Sequence, residues 1–179
     1  MTRLEPPDSH FLDAATGWLM LGNAEEAWRE FERIRPEACA HPDVLDFEWR
    51  WFAHEKRWKE AVEVGQRLVN LWPARVDAWI HRSFALHELR RTQEAFDLLL
   101  LAVERFPKET TIPYNLACYT SQLGDLSAAR QWFESVLTLG RKPAEKVHRL
   151  QCALADSDLK PPWPELRQRL ENLQAGSES

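Results

Sequence analysis

A chain of 179 residues that is 44% hydrophobic and 28% charged can bury a core of its own and is too polar to live in a bilayer. No apolar run reaches the roughly 18 residues that a spanning helix needs, so membrane insertion is not expected. The net charge of -5 is spread over interspersed acids and bases, as in EEAWREFERIR and RRTQEAF, and no basic face stands out, which argues against nucleic acid as a partner.

The opening MTRLEPPDSH has no apolar stretch between a basic end and a small-residue cleavage site, so no targeting segment is read there and a cytoplasmic location is expected. Cys39, Cys118 and Cys152 are odd in number and far apart, which suits reduced thiols rather than a disulfide framework. Nine tryptophans are the oddity of the composition. Bulky rings filling the gaps between helices are the expectation for most of them, each ring N–H seeking one acceptor.

In chain order, residues 1–7 carry Pro6-Pro7 and read as a flexible arm. Asp8 or Ser9 is placed to cap a first helix ending near Leu21, and Gly22-Asn23 is a turn before a second helix with Ala27, Trp28, Phe31 and Ile34. Pro36 and Pro42 bracket a linker expected to lack regular structure, and Pro42 suits the first turn of a new helix, where its missing N–H costs nothing.

The second hairpin pairs Val44–Glu55 with Trp58–Leu71. Trp49 stands there where Ala15, Ser83 and Ala117 stand in the other hairpins, and Lys56-Arg57 replaces the glycine turn. A widened gap filled by one aromatic cluster of Trp49, Trp51, Phe52 and Trp58 is predicted. The third hairpin runs over 75–89 and 92–106, with Thr92 as its second cap, and Pro73 and Pro107 close the second and third.

The fourth hairpin is the clearest, YNLACYTSQLGDLSAARQWF from Tyr114 to Phe133, whose apolar residues recur at helical steps on both sides of Gly124-Asp125. Gly140 reads as the left-handed stop that ends it, the other glycines being turn and stop residues. A helix from Pro143 to Ala155 follows, then Asp156-Ser157, PPWP, and an amphipathic segment from Pro164 to Ala175 with Leu166, Leu170 and Leu173 on one face, expected to cap the open end. Residues 176–179 are expected to be disordered.

Counting back from Ala129 in steps of 34 lands on Ala95, Ala61 and Ala27, inside QEA, KEA and EEA. Four hairpins (about 8–41, 42–75, 76–109 and 110–141) and a partial fifth repeat with a capping helix over 142–175 follow from that beat. The alanine column, the residues Phe31, Leu99 and Phe133 four further on, Trp79 opening its helix, and Pro73 and Pro107 resemble the tetratricopeptide repeat (TPR) family. The wider arrangement, with WIHRSFALHEL, YNLACY and ALADSDLKPPW, also resembles a group of bacterial repeat proteins to which no activity attaches.

The resemblance implies an all-α superhelix whose first helices line a concave groove for a peptide or protein segment. Projected onto it, Arg50, His54, Ile80, Phe84, His87, Tyr114, Cys118 and Gln122 are the expected groove contacts. The family's clamp for chaperone C-terminal tails uses lysines, asparagines and an arginine. Neither Leu12, Thr16, Phe47, Asp77 and His81 nor Asp46, Arg50, His81, Thr111 and Asn115 reproduces it.

His148 and Cys152 share a helical face near Cys118, but no Cys-x-x-Cys pair or fourth ligand is legible, and no metal is expected. A nucleophile with its base, paired carboxylates and a glycine-rich phosphate loop are equally illegible, so neither catalysis nor a cofactor is read. The expectation is a protein-binding adaptor or scaffold. The alternatives are a self-associating repeat protein, a homodimer for instance, or a chaperone of the secretion type.

Overall fold

In the computed structural model, residues 3–140, 142–159 and 164–175 are described. Residues 1–2 of the expected arm, Trp163 and the expected tail at 176–179 lie outside them, as does the side chain of Leu166. Every regular element among the described residues is helical. None of the described helices is long and apolar enough to cross a membrane. The chain divides between Arg90 and Arg91 into two compact units.

The first unit holds α1 (Asp8–Met20), α2 (Ala24–Phe31), α3 (Pro42–His54), α4 (Trp58–Leu71) and α5 (Val76–Glu88). The hairpin turns of both units keep one shape with different residues. Backbone φ is positive at Gly22 (78°), Lys56 (55°), Arg90 (63°) and Gly124 (89°), four positions on the same 34-residue beat. Lys56 and Arg90 thus hold the left-handed conformation that glycine takes most easily. The caps follow the same beat. Asn23 accepts from the Glu26 amide and Asp125 from the Ala128 amide, whereas Arg57 and Arg91 carry no side-chain cap and pair with Glu60 and Glu94 instead.

Ala15, Ala27 and Phe47 are fully buried together, with Leu12, Leu19, Phe31 and Trp51 packed around them. The predicted single aromatic cluster does not form. Trp51 and Phe52 turn toward α2, where the Trp51 ring lies 4.3 Å from Trp28 and its N–H donates to the Ala24 carbonyl at 2.8 Å. Trp49 and Trp58 turn toward α5. Trp49 stacks on His81 with ring centroids 3.9 Å apart, and both tryptophans meet Phe84 edge-on. Helical geometry accounts for the split between Trp49 and Trp51, because residues two apart in α3 do not share a face.

Gly65 stands in the column occupied elsewhere by Phe31, Leu99 and Phe133. A Cβ at Gly65 would fall 2.9 Å from the Arg82 Cα, so α4 and α5 touch backbone to backbone there. Gly65 is therefore a packing glycine inside a helix, not a turn or stop.

Other local expectations are corrected as well. Asp8 is the first residue of α1 rather than its cap, and its buried carboxylate takes the Arg35 amide at 2.9 Å and the guanidinium at 2.9 and 2.8 Å. That contact fixes the linker, which contains a 3-10 turn at Pro36–Ala38 instead of being irregular throughout. Pro42 does open α3, with His41 accepting from the Asp43 amide.

The second unit holds α6 (Thr92–Val103), α7 (Thr111–Gln122), α8 (Leu126–Leu139), α9 (Pro143–Ala155) and α10 (Pro164–Ala175). Arg91, not Thr92, occupies the cap position of α6. Ala95, Leu99, Ile112, Leu116, Ala129, Phe133, Val136 and Leu150 make the buried interior. Gly140 is extended (φ -62°, ψ 113°) rather than left-handed, its amide closing α8 by donating to the Val136 carbonyl at 3.0 Å. Helix α10 packs on α9, and Arg169 on it forms an ion pair with Glu134 of α8.

Candidate functional site

Helix α7 carries the most developed arrangement of polar groups on the predicted groove surface. Its side chains at Tyr114, Cys118 and Gln122 are four apart and form one stripe, while Ile112, Leu116 and Tyr119 point into the interior. The stripe is covered. Just after α9 the chain becomes extended at Asp156, turns through Ser157 and Asp158, and lies along it.

The contacts run the length of the stripe. The Tyr114 hydroxyl donates to Asp156 Oδ2 at 2.9 Å, and the Cys118 thiol points at the same oxygen from 3.7 Å. Gln122 Nε2 donates to the Asp158 carbonyl at 2.9 Å. Asp156 Oδ1 accepts from the Asp158 amide at 2.9 Å, which folds the segment into a compact turn, and the Leu159 side chain is buried beyond it. Arg149 of α9 ties the foot of the site by donating to Thr110 Oγ1 at 2.9 Å, its guanidinium 5.8 Å from the centre of the Tyr114 ring.

The electrostatics keep both acidic donors protonated. Burial pushes the Tyr114 hydroxyl far above its ordinary value, and the bond and charge of Asp156 push it further. Burial likewise raises the Cys118 thiol, with the charges of Asp156 and Asp158 adding to it. A thiol held in that state is a hydrogen-bond donor and a poor nucleophile. Cys152 lies 3.6 Å from His148, but Cys118 is turned toward Asp156. Among the described residues no group of three or more His, Cys, Asp or Glu side chains is arranged to hold a metal ion.

The other expected contacts lie in the first unit, on α3 and α5. Arg50 is exposed and pairs with Asp46 at 3.0 Å, and Asp46 in turn bonds His81 Nε2 at 2.8 Å. Ile80 and Phe84 are half-buried on α5, and His54 is exposed and bonded to its neighbour Glu55. His87 is only 4% exposed, so its ring belongs to the interior and not to an open surface. Sequence reasoning missed the partners of α7. Asp156 read as a helix stop, and nothing local distinguishes a stop that is free from one that binds a residue 42 positions earlier.

No protein-family model matches this sequence, and no curated protein does. Solved structures do. MamA from Desulfovibrio magneticus RS-1 superposes with a TM-score of 0.71 over 99% of this chain and 100% of its own, at 17% identity. TTC0263, a thermophilic TPR protein of Thermus thermophilus, gives 0.67 over 94% and 99% at 19% identity. YrrB, described as a TPR protein with an unusual peptide-binding site, gives 0.61 over 92% and 85% at 14% identity. The chain has the tetratricopeptide-repeat fold. At these identities the likeness establishes architecture, and function has to be argued from the residues.

Proposed function

We propose that this TPR protein is a non-catalytic interaction module that holds a peptide or protein segment on the faces of its first helices. The observation that supports this reading is the α7 stripe, where three donors four residues apart already hold a short turn of chain through a side-chain carboxylate and a backbone carbonyl. That is the chemistry by which one chain grips another without reading a fixed fold. On α3 and α5, Arg50, Ile80 and Phe84 supply the mixture of a cation and apolar side chains common at such surfaces. YrrB's peptide-binding site shows that the same fold supports the role in another protein.

The test is capture of partners by the immobilised full chain, compared between wild type and the double variant Phe84→Ala, Tyr114→Ala. Loss of specific capture with retained helicity supports the reading. Unchanged capture moves binding to another surface.

A second reading, self-association, is favoured by one feature of the first hairpin. Trp18, Met20 and Leu21 are 39%, 82% and 78% exposed around its turn, an apolar patch without cover from the described residues of that unit. Light scattering across a concentration series decides it, since a chain that stays monomeric at high micromolar concentration removes this reading.

A further inference from the structure

We propose that the Tyr114, Cys118 and Gln122 face of α7 recognises a short acidic segment of the form Asp-x-Asp-Leu in a protein partner, and that residues 156–159 are a built-in competitor for it. This rests on the interaction-module reading and names its ligand class.

The face is one-sided in its chemistry. It presents an O–H, an S–H and an N–H, all donors, and the Arg149 guanidinium stands by the Tyr114 ring at one end. Its complement is a row of acceptors, a carboxylate followed by a backbone carbonyl. The internal segment supplies that row, with Asp156 Oδ2 taking two donors and the Asp158 carbonyl the third.

The spacing within the segment sets the rest of the pattern. The first acid also accepts the amide two residues on, which requires a carboxylate or its like at that place and a backbone free to turn. Ser157 is exposed and makes no demand on its side chain, whereas Leu159 is 4% exposed and anchors the end. An apolar residue directly after the second acid is therefore part of the proposed pattern.

The segment is also built to leave. It begins where α9 has already ended at Ala155, so lifting it breaks no helical turn. Its outer hold, Gln122, is exposed, which lets water replace that bond as the segment peels away. An external segment competes with an internal one at an apparent affinity reduced by the fraction of molecules with the face open.

The experiment uses the full chain and a fluorescein-labelled peptide copying residues 153–160, beside a control peptide with both aspartates changed to alanine, read by fluorescence anisotropy. Asp156→Ala and Leu159→Ala each weaken the internal segment without altering the α7 face. Each is expected to bind the acidic peptide at least about tenfold more tightly than wild type does, because the open fraction rises. Adding Tyr114→Phe to Asp156→Ala should reverse most of that gain, and the control peptide should bind neither variant. Iodoacetamide labelling of Cys118, resolved by mass spectrometry, should rise in both opening variants and fall again when the acidic peptide is added. This second readout, with circular dichroism, separates opening from unfolding.

Equal binding of both peptides by the opened variants overturns the acidic class. So does no binding of either, and if partner capture still depends on Phe84 and Tyr114, the interaction-module reading survives that result. A wild-type dimer that Asp156→Ala dissociates would mean that the segment is exchanged between copies, which also overturns the proposal. Unchanged capture by the Phe84→Ala, Tyr114→Ala variant moves partner binding off these faces, whatever the peptides do.

Discussion

Gly65 of α4 approaches Arg82 of α5 so closely that a Cβ on the glycine would sit 2.9 Å from the Arg82 Cα and 2.9 Å from its Cβ. The usual effect of Gly→Ala inside a helix is a gain of roughly 0.5–1 kcal/mol, because alanine loses less backbone freedom on folding. Here the obstacle is main chain and cannot rotate aside. Gly65→Ala is expected to destabilise the first unit by about 1–3 kcal/mol through overpacking, the opposite sign to the propensity effect. Urea denaturation decides between them by the direction in which the midpoint moves.

The same beat that puts Gly65 in a bulky column puts Lys56 and Arg90 in left-handed turns. A non-glycine residue there carries a cost of roughly 1–2 kcal/mol, offset by the greater freedom that glycine would have in the unfolded chain. Lys56 is exposed with φ 55°, so no packing is lost on changing it. Lys56→Gly should raise stability by up to about 1 kcal/mol. Gly124→Ala, at φ 89° and with open space around it, should lower stability by a similar amount. If the two substitutions shift the urea midpoint in the same direction, the turn conformation is not what sets the energy.

How far these features were legible depends on whether they are local. Helical periodicity and the Asp125 cap are encoded within a few residues, the alanine column shows as a fixed 34-residue beat, and the starts of α9 and α10 follow from Pro143 and Pro164. Trp49 was legible as a misfit but not as a partner of His81, since its ring chooses a neighbour 32 residues later in the chain. Gly65 looks like any mid-helix glycine until the Arg82 backbone is beside it. Tyr114, Cys118 and Gln122 of the α7 stripe were legible as contacts only through the family resemblance. The stripe's occupation by Asp156 and Asp158 was not legible, because that contact joins the repeat register to the stretch where the register ends.

The Asp46 and His81 contact gives the first unit a pH dependence of definite sign. Burial of Asp46 works against its charge, but the hydrogen bond and charge of His81, with Arg50 and Arg75 nearby, outweigh burial and hold the carboxyl below its ordinary 3.8. A carboxyl depressed by folding adds stability above its unfolded value, and that stability is lost as the pH falls through the lower, folded value. Asp46→Asn should therefore cost stability at about pH 6, with the difference from wild type shrinking below about pH 3.8. Urea midpoints of the two proteins across that range check it. A difference that does not vary with pH would assign the loss to packing rather than to charge.

The three thiols should separate by rate. Cys118 is 6% exposed and raised by burial and by Asp156, while Cys39 and Cys152 are half-buried. Alkylation requires both access and thiolate. Site-resolved labelling at mildly alkaline pH should find Cys118 the slowest of the three, and a Cys118 that reacts as fast as Cys152 would place the 156–159 segment off the α7 face most of the time.

Ala129 is fully buried in α8, the helix whose partner in the fourth hairpin is α7. Its methyl group occupies the column shared with Ala27, Ala61 and Ala95, all of them fully buried. Ala129→Trp adds an indole where the interior leaves room for one carbon, and a closely packed interior cannot absorb that volume without separating the helices. The cost is expected to reach or exceed the usual 1–3 kcal/mol of overpacking. Since repeat proteins are held together mainly by neighbouring contacts, the damage should concentrate in the second unit. Hydrogen exchange resolved by peptide is the measurement: protection should fall across α7, α8 and α9 before it falls across α1 to α4. Wild-type protection in α7 and α8 would mean that the alanine column does not mark the tight crossing of each hairpin.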